Sequence, residues 1–367
     1  MALGFFSSLF GKNDRYLGID IGTTSIKLVE VERGKGLPVL KNYGMLESYG
    51  YLERSNEVIQ ASSLKFYEKE VVALLNYLLS RMKPRSHQVI ASLPSFLVFN
   101  TILELPLMSQ EDTVKSMGYQ ARQYIPLPLT DVTLDWLKVG EREINGIRFQ
   151  QIFLIAVTNE HVERYKSLFK KVGLKLVALE SESLASIRSL ALKDAVPTLI
   201  VDIGARSTNI AITEGGYLRF NSQTDFASFS LSQSIAQGLN ITISRAEEMK
   251  RRHGLLGTGG DYELSTLMMS SLDAILSEIG RAMNEYEARY GNTLAVSGKR
   301  RLERIILTGG GAKLRGIEKY IEEQFGLPVV KVNPFSRLLF DEQMGPIIEE
   351  INSYFSVAIG LGIRQFL

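Results

Sequence analysis

Hydrophobic and polar positions alternate from residue 16 to residue 31, and a short polar turn interrupts the alternation. The apolar run that ends at Asp20 predicts one β-strand, and the run that begins at Ile26 predicts a second. Gly22, Thr23 and Thr24 lie between them, so the sequence predicts a β-hairpin with Asp20 at its tip. Backbone N–H groups around a glycine turn form a concave anion site, and a nearby carboxylate suits the magnesium that accompanies a polyphosphate. A purely structural hairpin fits the same pattern.

The same pattern recurs about half a chain later. An apolar strand from Thr198 ends at Asp202, a turn with Gly204 and Arg206 follows, and a second alternating strand continues. Repetition of one supersecondary unit indicates a duplicated fold. We therefore expect two acid-tipped hairpins that face each other across a cleft.

A third apolar run ends at Thr308 and breaks into three consecutive glycines, Gly309, Gly310 and Gly311. Glycines allow the backbone to approach a flat ligand closely, and a helix that resumes after them offers unpaired N–H donors. The sequence therefore predicts a strand, a glycine turn and a helix that together bind a ligand.

Between the two hairpins the periodicity changes several times. Apolar residues at three- and four-residue spacings predict helices at 66–82, 110–124 and 160–172; after the second hairpin, the same spacings predict one long helix, or two, at 262–290. Strands are predicted at 89–93, 96–105 and 149–157, while Pro126 and Pro128 fix an extended segment. Residues 85–178 are thus expected to form an α+β insertion between the two halves of a first lobe.

Composition limits the classes of function. The chain has 367 residues, 45% hydrophobic and 22% charged, which suits two globular lobes. It contains no cysteine, so disulfides and thiolate metal sites are excluded. The formal charge of +2 gives no reason to expect a nucleic acid partner.

The apolar N-terminal stretch, residues 1–12, is shorter than the roughly 20 residues that a membrane span requires. It lacks the basic start and cleavage site of a signal peptide. This stretch is expected either to touch a membrane surface or a partner, or to pack on its own domain. With no other candidate span in the sequence, we expect a cytosolic protein.

The three elements resemble the nucleotide-binding motifs of the actin-like ATPase superfamily. The first hairpin is similar to its phosphate-1 motif, the second to phosphate-2, and the glycine turn to the adenosine motif. This resemblance, which spans nearly the whole chain, implies an α/β, actin-like (ribonuclease H-like), two-lobed ATPase fold with an inserted α+β subdomain. It implies a first-lobe half at 14–84, the insertion at 85–178, a connecting segment at 179–196, and a second lobe at 197–367 whose final helix returns to the first lobe.

The resemblance also implies ATP or ADP with magnesium, which Asp20 and Asp202 would hold mostly through water. Lys27 either adds positive charge beside the phosphates or lies on the surface. The β- and γ-phosphates would be lined by Gly22, Thr23, Thr24, Ser25, Gly204, Arg206, Ser207 and Thr208. The nucleoside would be bracketed by Gly309, Gly310, Gly311, Lys313 and Leu314.

The residues 179–185 are similar to the segment whose acid orients the attacking water in relatives that hydrolyse ATP. By its spacing to Leu184 and Ala185, Glu182 is the better match and Glu180 the reserve. The sequence shows no general base with an evidently tuned pKa, so turnover would be slow. Whether ATP is hydrolysed or only bound stays open.

Residues 244–247 fit a capping box, with Ser244 at the N-cap and Glu247 at the third helical position. The same segment resembles a superfamily helix that presents a Glu and a Lys, three residues apart, to the ribose and adenine. Glu247 and Lys250 share a helix face and would reach one ligand together. The capping role and the ribose role are compatible.

The run 124–136, Y-I-P-L-P-L-T-D-V-T-L-D-W, is similar to a signature of the PilM family of type IV pilus proteins. The FtsA family carries its insertion at the same place but normally ends in an amphipathic membrane helix. Here residues 359–367 resemble the final helix of the ATPase fold, which favours the PilM family.

Membership in the PilM family would imply an ATP-dependent cytoplasmic scaffold at the inner face of the inner membrane. It would bind the N-terminal cytoplasmic tail of PilN in a nucleotide-sensitive way, and the assembly motor ATPases would be further contacts. One alternative is a self-associating cytoskeletal filament ATPase like FtsA or MreB. A second is a small-molecule kinase, for which the sequence shows no substrate base.

Overall fold

The structure of the protein is a computed structural model that describes residues 14–47, 64–255, 260–290, 302–331 and 333–367. The apolar stretch 1–12, expected to contact a membrane, a partner or its own domain, lies outside the described residues. No helix in the described ranges is both long enough and apolar enough to cross a membrane.

Two five-stranded sheets repeat one topology. The first sheet runs, in spatial order, β3 (Val39–Glu47), β2 (Ser25–Glu32), β1 (Arg15–Ile21), β4 (Gln88–Leu93) and β8 (Lys175–Ser181). The second sheet runs β11 (Tyr217–Thr224), β10 (Thr208–Glu214), β9 (Thr198–Ile203), β12 (Arg304–Thr308) and β13 (Val329–Val330). In each, an antiparallel three-stranded meander is extended by two parallel strands. The predicted duplication of the hairpin is therefore confirmed.

A third, antiparallel sheet comprises β5 (Phe99–Pro106), β7 (Ile147–Thr158) and β6 (Val132–Ile144), with β7 in the centre. It lies in the chain between β4 and β8. Both of those strands pair in the first sheet, although the expected insertion at 85–178 includes β4 and the first four residues of β8. The part of the chain that forms a sheet of its own is therefore narrower, at 99–158.

Ten α-helices lie in the described residues. Side-chain caps begin three of them: Ser109 accepts from the Asp112 N–H, Thr158 from the His161 N–H and Thr242 from the Arg245 N–H. The helices are α1 (Leu64–Met82), α2 (Gln110–Ala121), α3 (Asn159–Lys171), α4 (Glu182–Leu190), α5 (Ser228–Leu239), α6 (Ile243–His253), α7 (Gly260–Tyr290), α8 (Ile317–Phe325), α9 (Gly345–Ile351) and α10 (Ser356–Gly362).

The strand predicted at 96–105 begins later, at Phe99. Pro94 precedes a 3-10 turn, Ser95–Leu97, in which the Leu97 N–H donates to the Pro94 carbonyl at 2.9 Å. The proline fixes the start of this turn, so β5 cannot begin before it.

Helix α10 packs against β1, β2 and α4 at very short range. A Cβ on Gly360 would lie 1.9 Å from the Ala185 carbonyl oxygen, and one on Gly18 would lie 2.2 Å from that of Ala358. Only glycine allows backbones to approach so closely. At the start of α10, the Ser356 hydroxyl accepts from the Thr308 hydroxyl of β12 at 2.9 Å, so α10 packs on the first sheet and also contacts the second.

Candidate functional site

A cleft of about 760 Å³ lies where the tips of the two hairpins meet. This volume is in the range of small-molecule sites, about 300–1,000 Å³. The turns of both hairpins have the same internal geometry, since the Gly22 N–H donates to the Ser25 carbonyl and the Gly204 N–H to the Ser207 carbonyl, each at 3.0 Å. The duplicated sequence pattern therefore builds two matching walls of one cleft.

The structure brings together nearly every residue that the sequence singled out. The cleft is lined by Asp20, Gly22, Thr23, Thr24, Ser25, Lys27, Glu182, Asp202, Gly204, Arg206, Ser207, Glu247, Lys250, Gly309, Gly310, Gly311, Lys313 and Leu314. Thr208 is the exception, since it is fully buried and its hydroxyl donates to the Phe226 carbonyl at 2.8 Å. Its hydroxyl is occupied by this hydrogen bond within the protein, so the expectation that Thr208 contacts a phosphate is wrong.

Asp20 is held from two sides. The Ser92 hydroxyl donates to its Oδ1 at 2.8 Å, and Lys27 Nζ donates to its Oδ2 at 3.1 Å. Lys27 lies opposite Asp20 in the antiparallel register, and its side chain is only 13% exposed, so it turns into the cleft and not to the surface. Burial alone lowers the pKa of Lys27, but Asp20, Asp202 and Glu182 together raise it above its usual value.

Asp202 occupies the equivalent place at the end of β9. Burial, reinforced by the charge of Asp20, raises its pKa to about 6, while Lys27 opposes the shift. The two hairpin acids therefore act on each other electrostatically across the cleft. A cation placed between them would relieve this repulsion.

Glu182 is the first residue of α4 and points into the same cleft. Its Oε2 accepts from the Ser95 N–H at 3.3 Å, the Ser95 hydroxyl at 2.9 Å and the Asn209 amide at 3.0 Å. Burial, followed by the charges of Asp20 and Asp202, raises its pKa to about 8. The structure thus supplies a carboxyl with a shifted pKa that the sequence did not reveal.

The reserve candidate, Glu180, has a structural role. Its side chain is 1% exposed and forms ion pairs with Arg188 at 2.6 Å and with Arg364 at 3.6 Å. Both arginine partners hold its carboxylate inside the protein, so it is not available to the cleft. Of the two acids, only Glu182 reaches the site.

Ser95 and Asn209 are site residues that sequence reasoning missed. Ser95 comes from the turn after β4 of the first sheet, whereas Asn209 lies on β10 of the second sheet. Both bind one oxygen of Glu182, so this carboxyl bridges the two halves of the protein. The available signal was their position, directly after β4 and directly after the second hairpin turn.

The glycine turn closes the cleft beside Asp202. Gly309 has φ +83°, and a Cβ on it would lie 2.3 Å from Asp202 Oδ1. Glycine is therefore required there for two independent reasons. The expected helix does not resume directly after the glycines: Gly310–Lys313 forms a 3-10 turn, and α8 begins at Ile317.

The predicted capping box is wrong, because α6 begins earlier than expected. Thr242 is the N-cap and accepts from the Arg245 N–H, which leaves Glu247 outside the first turn. Glu247 Oε2 instead contacts Lys250 Nζ at 2.7 Å and accepts from the Ser232 hydroxyl. Although burial opposes it, the Lys250 cation and these hydrogen bonds lower the pKa of Glu247 to about 2.

A second, narrow hollow of about 40 Å³ adjoins the cleft. It lies between the first hairpin, the Ser95–Leu97 turn, α1 and α3. Its wall is mainly apolar, with a few charged or imidazole groups at α1 and α3. Its lining residues are Ile21, Thr23, Glu68, Pro94, Phe96, Leu97, His161, Arg164, Tyr165 and Leu168.

In the described residues, no group of three or more acidic or histidine side chains is arranged to hold a metal ion by itself. Asp20 and Asp202 are the two carboxylates at the hairpin tips that face the cleft. A metal held there would complete its coordination with water and ligand oxygens.

Comparison with known proteins places the chain in a family. A profile of the family "Type IV pilus assembly protein PilM" matches residues 18–366. The cell division protein FtsA of Neisseria meningitidis is 26% identical over 279 residues, 68% of this chain and 64% of that protein. Escherichia coli K12 FtsA is 27% identical over 241 residues, 59% of this chain and 56% of that protein. The chain thus spans less than two thirds of the length of each of these two relatives.

Solved structures give the same fold. The PilM–PilN type IV pilus biogenesis complex superposes with a TM-score of 0.81 at 23% identity, covering 97% of this chain and 100% of the other. MreB5 of Spiroplasma citri bound to ADP gives a TM-score of 0.55 at 16% identity, with 96% of each chain covered. The predicted actin-like, two-lobed α/β fold is confirmed.

The raised pKa of Glu182 predicts how stability depends on pH. Between about pH 4.5 and pH 8 the folded state binds more protons at Glu182 than the unfolded state, so this group makes stability fall as pH rises. Glu182→Gln removes the effect. Relative to the wild type, the variant should gain on the order of 1 to 3 kcal/mol in free energy of unfolding between pH 5 and pH 8.5, less than the full shift allows because the cleft is open to water.

Urea denaturation at pH 5, 7 and 8.5 measures this difference. Glu163→Gln is the matched control, because the Glu163 side chain is 68% exposed on α3 and should matter little. An advantage of Glu182→Gln that is the same at all three pH values would contradict the assignment.

Proposed function

This chain belongs to the type IV pilus assembly protein PilM family, and on that premise we propose that it is a nucleotide-binding scaffold of the pilus assembly platform. It binds ATP or ADP with magnesium in the cleft. It also binds the N-terminal cytoplasmic tail of PilN and so associates with the inner membrane indirectly, from the cytoplasm.

The observation that carries the nucleotide proposal is the meeting of Asp20 and Asp202 in one cleft. With Glu182 they form three carboxyl groups, against which Lys27 supplies one close positive charge. The site therefore favours a further cation. Magnesium retains much of its water and takes phosphate oxygens, so two carboxylates suit it even without a third protein ligand.

The two glycine turns supply the phosphate contacts in this proposal. Backbone N–H groups around the turns after β1 and β9 offer donors to the β- and γ-phosphates, and Lys27 neutralises charge between them. Arg206 lies against the Phe229 ring at 4.3 Å, which orients its guanidinium in the wall of the cleft.

In this proposal, α6 and the glycine turn bind the nucleoside. Lys250 Nζ donates to the Ser228 carbonyl and hydroxyl at 2.8 and 2.7 Å, so its position beside Glu247 is fixed. A carboxylate with a lowered pKa remains an acceptor at neutral pH, and ribose hydroxyls are its natural donors. Gly309 to Gly311 allow the base to approach the backbone.

If ATP is hydrolysed, Glu182 is the residue that would position the attacking water. Its three donors fix the carboxyl within reach of the space between the hairpins. A carboxyl whose pKa is about 8 is largely protonated at neutral pH, so little of it can accept a proton until a cation enters the cleft and lowers the pKa. Slow turnover is the expected outcome.

In this proposal the partner site is the narrow hollow, between the turn after β4 and helices α1 and α3. A solved structure of similar fold is a PilM–PilN complex, which supports PilN as the partner. Apolar wall residues such as Leu97 and Leu168 suit an apolar side chain of an extended tail, and Arg164 and Glu68 suit its polar backbone.

Asp20→Asn and Asp202→Asn test the magnesium site. With magnesium present, each should weaken ATP binding about tenfold or more, since a ligand to the ion is lost. With EDTA, each should leave the affinity equal or tighten it, because a negative charge near the phosphates has gone. Calorimetric titration measures both. Asp225→Asn, in an exposed loop that does not line the cleft, is the control; equal losses with and without magnesium would count against the proposal.

Glu247→Gln tests the ribose contact. It should weaken ATP binding about fivefold or more while leaving tripolyphosphate binding unchanged, since only ATP carries a ribose. The adjacent Glu248 is the matched control, because it is 63% exposed and pairs with Arg245 outside the cleft. An equal effect of Glu247→Gln on the two ligands would place Glu247 at the phosphates instead.

A peptide copied from the start of PilN tests the partner. It should bind, with an affinity that changes about fivefold or more on adding Mg-ATP. Phe96→Ala should weaken binding, whereas Tyr119→Ala, exposed elsewhere on α2, should not. Absence of binding in both states together with phosphorylation of a sugar would indicate a kinase, and light scattering that rises with ATP would indicate a filament former.

A further inference from the structure

The cleft and the narrow hollow share a wall. Thr23, Pro94 and Phe96 line both of them. Thr23 belongs to the first hairpin turn, and the other two flank Ser95 in the turn after β4. A short stretch of chain therefore faces the candidate nucleotide site on one side and the candidate partner site on the other.

The turn at residues 94–98 is held together by its own backbone hydrogen bonds. Two backbone hydrogen bonds close it, from the Leu97 N–H to the Pro94 carbonyl at 2.9 Å and from the Val98 N–H to the Ser95 carbonyl at 3.1 Å. Pro94 has φ −53°, the value that its ring imposes. A displacement of Ser95 therefore carries Pro94 and Phe96 with it.

Ser95 is also the direct link from this turn to the cleft. It is only 5% exposed, and both its N–H and its hydroxyl donate to Oε2 of Glu182. Asn209 donates to the same oxygen from the second sheet, but it does not line the hollow. Of these two residues that donate to Glu182, only Ser95 belongs to the segment of chain that both cavities share.

We propose that the Ser95 turn couples the two cavities: Ser95 positions Glu182, and a change in the hydrogen bonds of Glu182 on nucleotide binding moves Pro94 and Phe96 in the wall of the hollow. This inference rests on the proposed function and adds the route by which the nucleotide state reaches the partner site.

The physical basis is competition for one carboxyl. A magnesium–nucleotide and its ordered water attract the Glu182 carboxylate toward the cleft and so compete with the two Ser95 donors. When the nucleotide weakens or strengthens those two hydrogen bonds, the turn shifts from one position to another. By linkage, a ligand that favours one position of the turn from the hollow changes nucleotide affinity by the same factor.

Hydrogen exchange with and without magnesium and a non-hydrolysable ATP analogue tests the coupling. In the wild type, the nucleotide should change exchange of the amides in 96–98, beside the hollow, about fivefold or more, in addition to those in the hairpin turns at 22–25 and 204–207. Ser95→Ala removes the shorter of the two Ser95 bonds and leaves the N–H donor, so it should reduce the response at 96–98 about twofold or more and retain the response at the hairpin turns. Ser95→Thr, which keeps the hydroxyl, should restore it.

Asn209→Ala is the matched control, because it removes a donor to the same Glu182 oxygen without altering the shared turn. It should keep the response at 96–98. A response at 96–98 that is undiminished in Ser95→Ala, or a wild type that responds only at the hairpin turns, overturns the coupling and leaves the nucleotide site standing. A wild type that responds at neither hairpin turn overturns the proposed nucleotide site and the coupling together.

Discussion

The burial of three mutually repelling carboxyl groups in one cleft is the constraint on which the rest of the site depends. Burial raises the pKa of both Asp202 and Glu182; the charge of Asp20 adds to the rise at Asp202, and the charges of both aspartates add to the rise at Glu182. Such an arrangement costs free energy, and the fold maintains it only because the strands that carry it are rigidly placed. The close packing of Gly360 on Ala185 contributes to that placement. A site held in this state favours a cation, which is why we propose a magnesium–nucleotide.

Local sequence patterns predicted the structure correctly where interactions between residues close in the chain determine it. The hairpin tips at Asp20 and Asp202 follow from strand alternation and glycine turns, and the structure has both. Gly309 was predicted for close approach to a ligand, and its positive φ and its proximity to Asp202 show that glycine is required for the fold itself. Thus the sequence predicted which segments meet in the cleft.

Features that depend on tertiary packing could not be predicted from local sequence patterns. Thr242 and Ser244 are both good N-caps, and only the packed structure selects Thr242, so the capping box was wrong. The roles of Ser95 and Asn209 depend on a contact between two sheets and have no short-range signature. The pairing of β4 and β8 in the first sheet is equally non-local, because parallel neighbours are distant in the chain.

Carbon-13 NMR titration of the Asp202 carboxyl in the ADP complex tests the central claim most directly, with magnesium in one sample and EDTA in the other. If the two hairpin acids share a magnesium ion, the ion stabilises the ionised form, and Asp202 titrates about one pH unit or more lower with magnesium than without it. If Asp202 titrates at the same pH in both samples while ADP remains bound, the two acids do not hold the metal and the account is wrong.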